Sequence, residues 1–192
     1  MSYNNYLIVL PLIMVSCTSN SNIDITPTDN NSQLKSTDSL SLCQKLEVAV
    51  VACQIEEPQG RLLAICHSNE ISNTNVSQTV HYRLGTPSNI DSSKAFTKHK
   101  PLLRWVDTSA YTTYFGFKQN NKYYSVGVPQ ETEGAKVFIE IFDEKGQALS
   151  GLSCINNSFE HEMLTSPAIL DLSDEDVYQQ GGHFPYDYDT NR

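Results

Sequence analysis

"TYFGFKQNNKYYSVGV", residues 113–128, is the stretch on which the fold turns. Aromatic and β-branched residues alternate here with small or polar ones, the period of a half-buried strand. Asn120-Asn121 interrupt the pattern at its centre, and both tolerate the positive φ of a two-residue type I′ turn. That register sets Phe117 opposite Tyr124, Phe115 opposite Val126 and Thr113 opposite Val128. This face is mostly aromatic and aliphatic, so it is the core side. The other face pairs Tyr114 with Gly127, Gly116 with Ser125 and Lys118 with Tyr123. Two glycines and a serine between tyrosines leave a shallow notch with aromatic walls. A strand glycine often marks close approach by another backbone or a ligand, and tyrosine is favoured at recognition surfaces. Tyr114, Gly116, Lys118, Tyr123 and Ser125 are therefore a candidate binding surface, unless another strand or the C-terminal tail covers them.

The neighbouring segments are also written in strands. "LEVAVVACQI" (46–55) and "TVHYRL" (79–84) are β-branched and partly alternating, and "KVFIEIFDEKGQALSGLSC" (136–154) reads as a hairpin turning at Glu144-Lys145-Gly146. No long stretch between residues 43 and 157 carries helical periodicity. The expectation is an all-β domain over 43–157, a small disulfide-linked antiparallel sandwich or partly open barrel. Residues 158–192 read as an acidic C-terminal appendage. Within it "SDEDVYQQGG" (173–182) predicts a two-turn helix with Ser173 as N-cap, Asp176 in the capping-box position and Gly181 past the end. The final "HFPYDYDTNR" (183–192) is expected to be mobile or loosely docked.

Ahead of the domain, residues 6–15 form an apolar run about half as long as a membrane-spanning helix needs, which fits the hydrophobic region of a secretory signal. "MVSC" (14–17) resembles a bacterial lipobox, which implies a signal over 1–16 and lipidation of Cys17; Met14 stands where Leu is usual. By the same resemblance, Thr18 rather than Asp after the cysteine favours the outer membrane. Several acyl chains would make such an anchor effectively permanent. The following "TSNSNIDITPTDNNSQLKSTDSLS" (18–41) is too poor in apolar residues to fold, so 17–42 reads as lipidated cysteine and flexible tether, reaching roughly 25–30 Å. The formal net charge of −9 makes nucleic acid an unsuitable partner, because phosphate binding needs a basic footprint.

Four cysteines follow Cys17: Cys43, Cys53, Cys66 and Cys154. An even count behind an export signal predicts two disulfides, and no CxxC or HxxxH spacing points to a metal. Three pairings are possible. A turn centred on Gln59-Gly60 would set Cys53 opposite Cys66, within disulfide reach at a non-hydrogen-bonded site. That reading leaves Cys43–Cys154 to tie the ends of the domain.

No catalytic constellation or cofactor motif stands out. Gly151-Leu152-Ser153-Cys154-Ile155 lacks the second glycine of a nucleophile elbow and lies on a late strand. His67, His81, His99, His161 and His183 show no ligand spacing, and His161-Glu162 lacks the second histidine of a zinc-protease helix. Glu56-Glu57, Asp143-Glu144 and Glu160/Glu162 read as solvated charge at turns. Asp171, Asp174 and Asp176 lack the glycine and terminal glutamate of a calcium loop. "KAFTKHKPLLRW" (94–105) is different: Lys94, Lys98, Lys100 and Arg104 lie in a stretch free of acids. This is a local positive patch able to steer an anionic partner such as lipopolysaccharide or an acidic protein.

"ACQIEEPQGRLLAIC" (52–66), "HYRLGTPSNID" (81–91), "NNKYYSVGV" (120–128) and "VFIEIFDEKGQALSGLSC" (137–154) together resemble a largely uncharacterised family of small exported proteins and lipoproteins of Gram-negative bacteria. Its recurrent elements are a two-cysteine hairpin, a YRFG-P segment, a Gly-rich aromatic hairpin and a final strand ending in Cys. Leu84 replaces the usual Phe, and Asn120-Asn121 replace the Gly before the tyrosine pair. The resemblance covers residues 43–155 and implies compartment and fold. In plan the chain is also distantly similar to periplasmic lysozyme inhibitors, although no inhibitory loop motif matches. The expected function is a non-enzymatic, lipid-anchored periplasmic binding module, with inhibition of or immunity to a wall-degrading enzyme as one form. Its partners would be the membrane, through the lipid, and an envelope protein or anionic envelope component. The alternatives are an envelope-maintenance lipoprotein without a discrete ligand and a hydrolase with an unrecognised site.

Overall fold

The computed structural model describes residues 41–72, 75–130, 133–155 and 162–187. Cys17, the signal reading and the tether reading up to residue 40 lie outside these residues, as do Glu160 and His161; Leu42, read as tether, is instead buried against Leu62 and Ala64. Among the described residues ten strands and one short helix follow in order. The first four, β1 (Glu47–Gln54), β2 (Leu62–Ser72), β3 (Asn75–Thr86) and β4 (Asn89–Phe96), form an antiparallel meander. The second sheet has six strands in the order β10-β5-β6-β7-β8-β9. They are β5 (Leu102–Asp107), β6 (Thr112–Gln119), β7 (Lys122–Pro129), β8 (Phe138–Phe142), β9 (Ala148–Ser153) and β10 (Ile169–Leu172). The sheets pack face to face as an all-β sandwich, not a closed barrel.

The alternation read from the sequence places the core. Phe115, Phe117, Val126, Val128 and Ile139 of the second sheet meet Val51, Leu63, Ile65, Val80, Tyr82 and Phe96 of the first in one buried cluster. The Asn-Asn hairpin has the expected register, with Phe117 opposite Tyr124 and Phe115 opposite Val126. Asn120 and Asn121 take φ of 51° and 57°, the left-handed conformation that a type I′ turn demands. Phe117 and Tyr124 stack with centroids 5.0 Å apart, and Tyr82 tilts against both. The β8–β9 hairpin also turns where expected, with Gly146 at φ 76° and Asp143 accepting the amides of Lys145 and Gln147.

Tyr82 is fully buried at the centre of the sandwich, and its hydroxyl has no hydrogen-bond partner among the described residues. Burial drives its ionisation well above the ordinary tyrosine range. A buried, unpaired hydroxyl carries its desolvation penalty without compensation. Tyr82→Phe is therefore expected to stabilise the fold by about 1 kcal/mol, read as a rise of roughly 2–4 °C in the melting temperature. A lower melting temperature would mean that the hydroxyl finds a partner.

The cysteines correct the expected pairing. The bonds are Cys43–Cys66 and Cys53–Cys154. Cys53 stands opposite Leu63, three positions before Cys66. An odd shift of register sends the two sulfurs to opposite faces of the sheet. Cys53 lies in the inter-sheet core, whereas Cys66 joins Leu42, Leu62 and Ala64 in a cluster on the outer face, where Cys43 packs against it. The shift arises at the turn, where Gly60 donates to Glu57 O, Ile55 donates to Arg61 O, and the Glu57–Arg61 ion pair closes the loop. A bulge between Ala49 and Val51 moves the register again. Cys53–Cys154 links the two sheets, and backbone bonds from Glu56 N to Ser153 O (2.7 Å) and Ile155 N to Gln54 O (2.8 Å) stitch the same corner.

The C-terminal stretch is not a separate appendage. β10 runs parallel to β5 at the edge of the second sheet, and Ala168 and Ile169 lie in the core. The helix α1 (Asp174–Gln179) has the expected Ser173–Asp176 capping box, and Gly181 follows it at φ 79°. Val177 is fully buried and packs with Leu103, Trp105 and Leu172 on the outer face of the second sheet.

Candidate binding surface on the outer face of the second sheet

Strands β5, β6 and β7 present Trp105, Tyr114, Gly116, Lys118, Tyr123 and Ser125 on one face, because side chains alternate along each strand. The notch expected at the two glycines exists, and the chain itself fills it. A Cβ on Gly127 would stand 2.2 Å from the Phe138 ring of β8. A Cβ on Gly116 would stand 2.5 Å from the Pro185 side chain and 2.6 Å from the Phe184 ring. Residues 183–187 therefore dock across the hairpin, correcting the expectation of a loose end. Pro185 is buried, Phe184 and Tyr186 are half-buried, and Ser125 beneath them is 1% exposed. Trp105 stacks on Tyr114 at 5.3 Å, touches Phe184 at 5.8 Å, and donates its Nε1 hydrogen to Asp174 at 2.8 Å.

Asp187 of the tail meets a cation. Lys118 Nζ lies 2.9 Å from Asp187 Oδ2, 3.5 Å from Glu144 and 5.1 Å from the centre of the Tyr123 ring. The Lys118 hydrogen bond, opposed by slight burial and helped by Tyr123, holds the Asp187 carboxyl below its usual range. The same bond pushes the Lys118 ammonium above its own.

The basic stretch divides. Its residues form β4, a tight Thr97–Lys100 turn and β5. Lys98 and Lys100 are exposed on the turn. Lys94 is half-buried, donates to the Lys118 carbonyl and lies over the rings of Phe96 and Phe117; burial, then the charge of Lys100, pushes its ammonium down. Arg104 does not belong to the patch. Its side chain is 4% exposed, paired with Asp171 of β10 (Nη2–Oδ2 2.9 Å) and bonded to the carbonyls of Glu162 and Leu164. It secures the edge strand.

The two candidate surfaces thus meet. A cavity of about 330 Å³ is lined by Lys94, His99, Lys100, Gly116 and Lys118, with Tyr186 and Asp187 as one wall. A second, of about 360 Å³, lies along the tail's other flank between Tyr123, Phe142 and Glu144 on the hairpins and residues 182–186. The tail residues carry the signal that composition missed: a proline between two aromatics, followed by an acid.

The remaining candidates have local duties. Glu56 pairs with Lys136, and Asp174 holds Trp105. Ser153 lies exposed on β9, and His99 and His183 are exposed. His81 bonds Thr79, while burial pushes the His67 imidazole down. Cys43, Glu47 and Cys66 bring three donor atoms within 4.8 Å of one another, but both sulfurs are joined and Arg83 engages Glu47. A cavity of about 560 Å³ lies beside Asp107, Tyr111 and Thr113.

No known protein family, no curated protein and no solved structure matches the chain.

Proposed function

We propose that the protein is a lipid-anchored binding module of the bacterial cell envelope, facing the periplasm, which captures an anionic partner at the Lys94–Lys118 end of the β6–β7 face. The compartment rests on the apolar run, the lipobox-like "MVSC" and the polar tract. Two disulfides support it, since such bonds persist in oxidising surroundings. The binding role rests on one observation. Basic residues from the β4–β5 region and the hairpin's Lys118 line one cavity, and the cation there is already met by a carboxylate. A site that holds Asp187 has the charge and aromatic surroundings to hold an acidic group from another molecule. An envelope protein is the partner class, with wall-degrading enzymes as the first members to test.

The test has two arms. Mass spectrometry of the mature chain is expected to find a fatty-acylated Cys17 as its first residue. The full chain carrying Cys17→Ala, to keep it off the membrane, is expected to capture a saturable partner from envelope extracts or a panel of lysozymes. Lys94→Glu/Lys118→Glu should weaken that capture at least tenfold, about 1.4 kcal/mol or more. Loss of no affinity in the double variant would remove this surface from the reading. Absence of any partner would favour an envelope-maintenance role instead.

A further inference from the structure

We infer that the outer face of β5, β6 and β7 is a peptide groove. Its ligands are extended segments carrying a proline between two aromatic residues and then a carboxylate, and residues 184–187 of the chain are the resident stand-in for such a ligand. The inference rests on the binding reading above and names the partner chemistry of that site.

The groove's floor is Gly116, where any side chain would collide with Phe184 and Pro185. Strand glycines weaken a sheet, so one that admits a proline and a ring marks a place shaped for an approaching chain. Its walls are Trp105, Tyr114 and Tyr123, and aromatic walls are what proline-containing extended segments dock against. One end is cationic, with Lys118 on Asp187 and Lys94 lining the same cavity. The groove is wider than its occupant, because cavities of about 330 Å³ and 360 Å³ flank the tail and tail residues line both.

The occupant is also built to leave. It joins α1 through exposed Gly181 and Gly182, at φ 79° and 75°, and a Cβ on Gly182 would meet nothing within 4 Å. Helix α1 keeps its own attachments through buried Val177, the Ser173–Asp176 capping box and the Trp105–Asp174 bond. The strap can lift without unseating the helix. A tethered occupant competes at an effective concentration near the millimolar range, so it raises the threshold for a free ligand without closing the site.

The test uses the full chain and two labelled peptides, one centred on Phe-Pro-Tyr-Asp and one on Trp-Pro-Phe-Glu, read by fluorescence anisotropy. A released-strap variant, Phe184→Ser/Asp187→Lys, is expected to bind both saturably and about tenfold more tightly than the unaltered chain. Adding Gly116→Val should abolish binding, and replacing the peptide's acid with lysine should weaken it at least tenfold. Should Phe184→Ser impair folding, Asp187→Lys alone removes the exposed anchor on Lys118 and the same comparison is made. A folded released-strap variant that binds neither peptide overturns the inference. So does binding that survives Gly116→Val, or a concentration-dependent dimer formed by exchange of tails that the peptides cannot dissolve. If the peptides fail while envelope capture remains sensitive to Lys118→Glu, only this inference falls. If the peptides bind and no envelope partner is captured, the groove stands and the envelope reading falls.

Discussion

Removing the Cys53–Cys154 bond as the double variant Cys53→Ala/Cys154→Ala is expected to destabilise the protein by about 4 kcal/mol. The melting temperature should fall by roughly 8–16 °C. The two residues are 101 positions apart, so the bond closes most of the folded region into one loop. In the chain-entropy account, a loop of this length restricts the unfolded ensemble by about 4.7 kcal/mol. Cys43–Cys66 spans 23 positions, and by the same account its loss costs about 3 kcal/mol. Thermal melts of the two double variants should therefore rank in that order. Peptide mapping without reductant should recover Cys43 with Cys66 and Cys53 with Cys154; a Cys53–Cys66 peptide would refute the register described above.

Arg83→Met is the second large effect. Arg83 is buried on the outer face of the first sheet, with Nη2 donating to Glu47 Oε1 at 2.8 Å and Nη1 donating to the carbonyl of Leu42 at 3.3 Å. The Glu47 side chain is only 5% exposed. Burial alone would raise its carboxyl; the Arg83 hydrogen bond, the Gln44 amide and the Arg83 charge together outweigh that and hold it below 4.5. Removing the guanidinium leaves the largely buried carboxylate with the Gln44 amide and the His81 ring as its remaining neighbours, which costs about 3 kcal/mol at neutral pH. Arg83→Met/Glu47→Leu should recover most of that loss, because an apolar pair of similar volume removes both desolvated charges.

The pH dependence gives the same pair a second signature. In the unaltered protein Glu47 has a depressed folded value. Its contribution is full above 4.5 and is lost as the pH falls through the lower folded value. In Arg83→Met the carboxyl becomes easier to protonate than in the unfolded chain, so acid relieves the variant. The stability gap between the two proteins should narrow steadily as the pH falls from 7 to below 4. Chemical denaturation across that range measures it; a gap independent of pH would mean that Glu47 is not the group left stranded.

Local chemistry was readable in the chain, and distant partnership was not. Asn120-Asn121 fixed one register because only a few residue types accept two consecutive left-handed conformations. Ser173 and Asp176 announced their helix because a capping box is satisfied within four residues. The first hairpin failed on the same scale of detail. Gly60 does take φ 61°, but the residues around it form a longer loop closed by Glu57 and Arg61, and strand alternation alone cannot count loop residues. Arg104 looked like surface charge because its carboxylate partner, Asp171, lies 67 positions downstream. The candidate surface was half legible. The register that sets Tyr114, Gly116 and Lys118 on one face was readable, but the segment docked over them comes from the other end of the chain, and its composition reads as solvent-exposed.

The Cys43–Cys66 bond has a mechanical consequence. A pull on the chain ahead of Cys43 passes through sulfur directly into β2, an inner strand bonded on both sides by β1 and β3. The edge strand β1 lies inside the loop this bond closes and is itself pinned to the second sheet through Cys53–Cys154, so it cannot peel away first. Tension from upstream therefore cannot unzip the first sheet from its exposed border, the easiest route by which such a sheet opens. It must instead drag an inner strand against both neighbours at once, and a reducing agent would abolish that resistance in a single step.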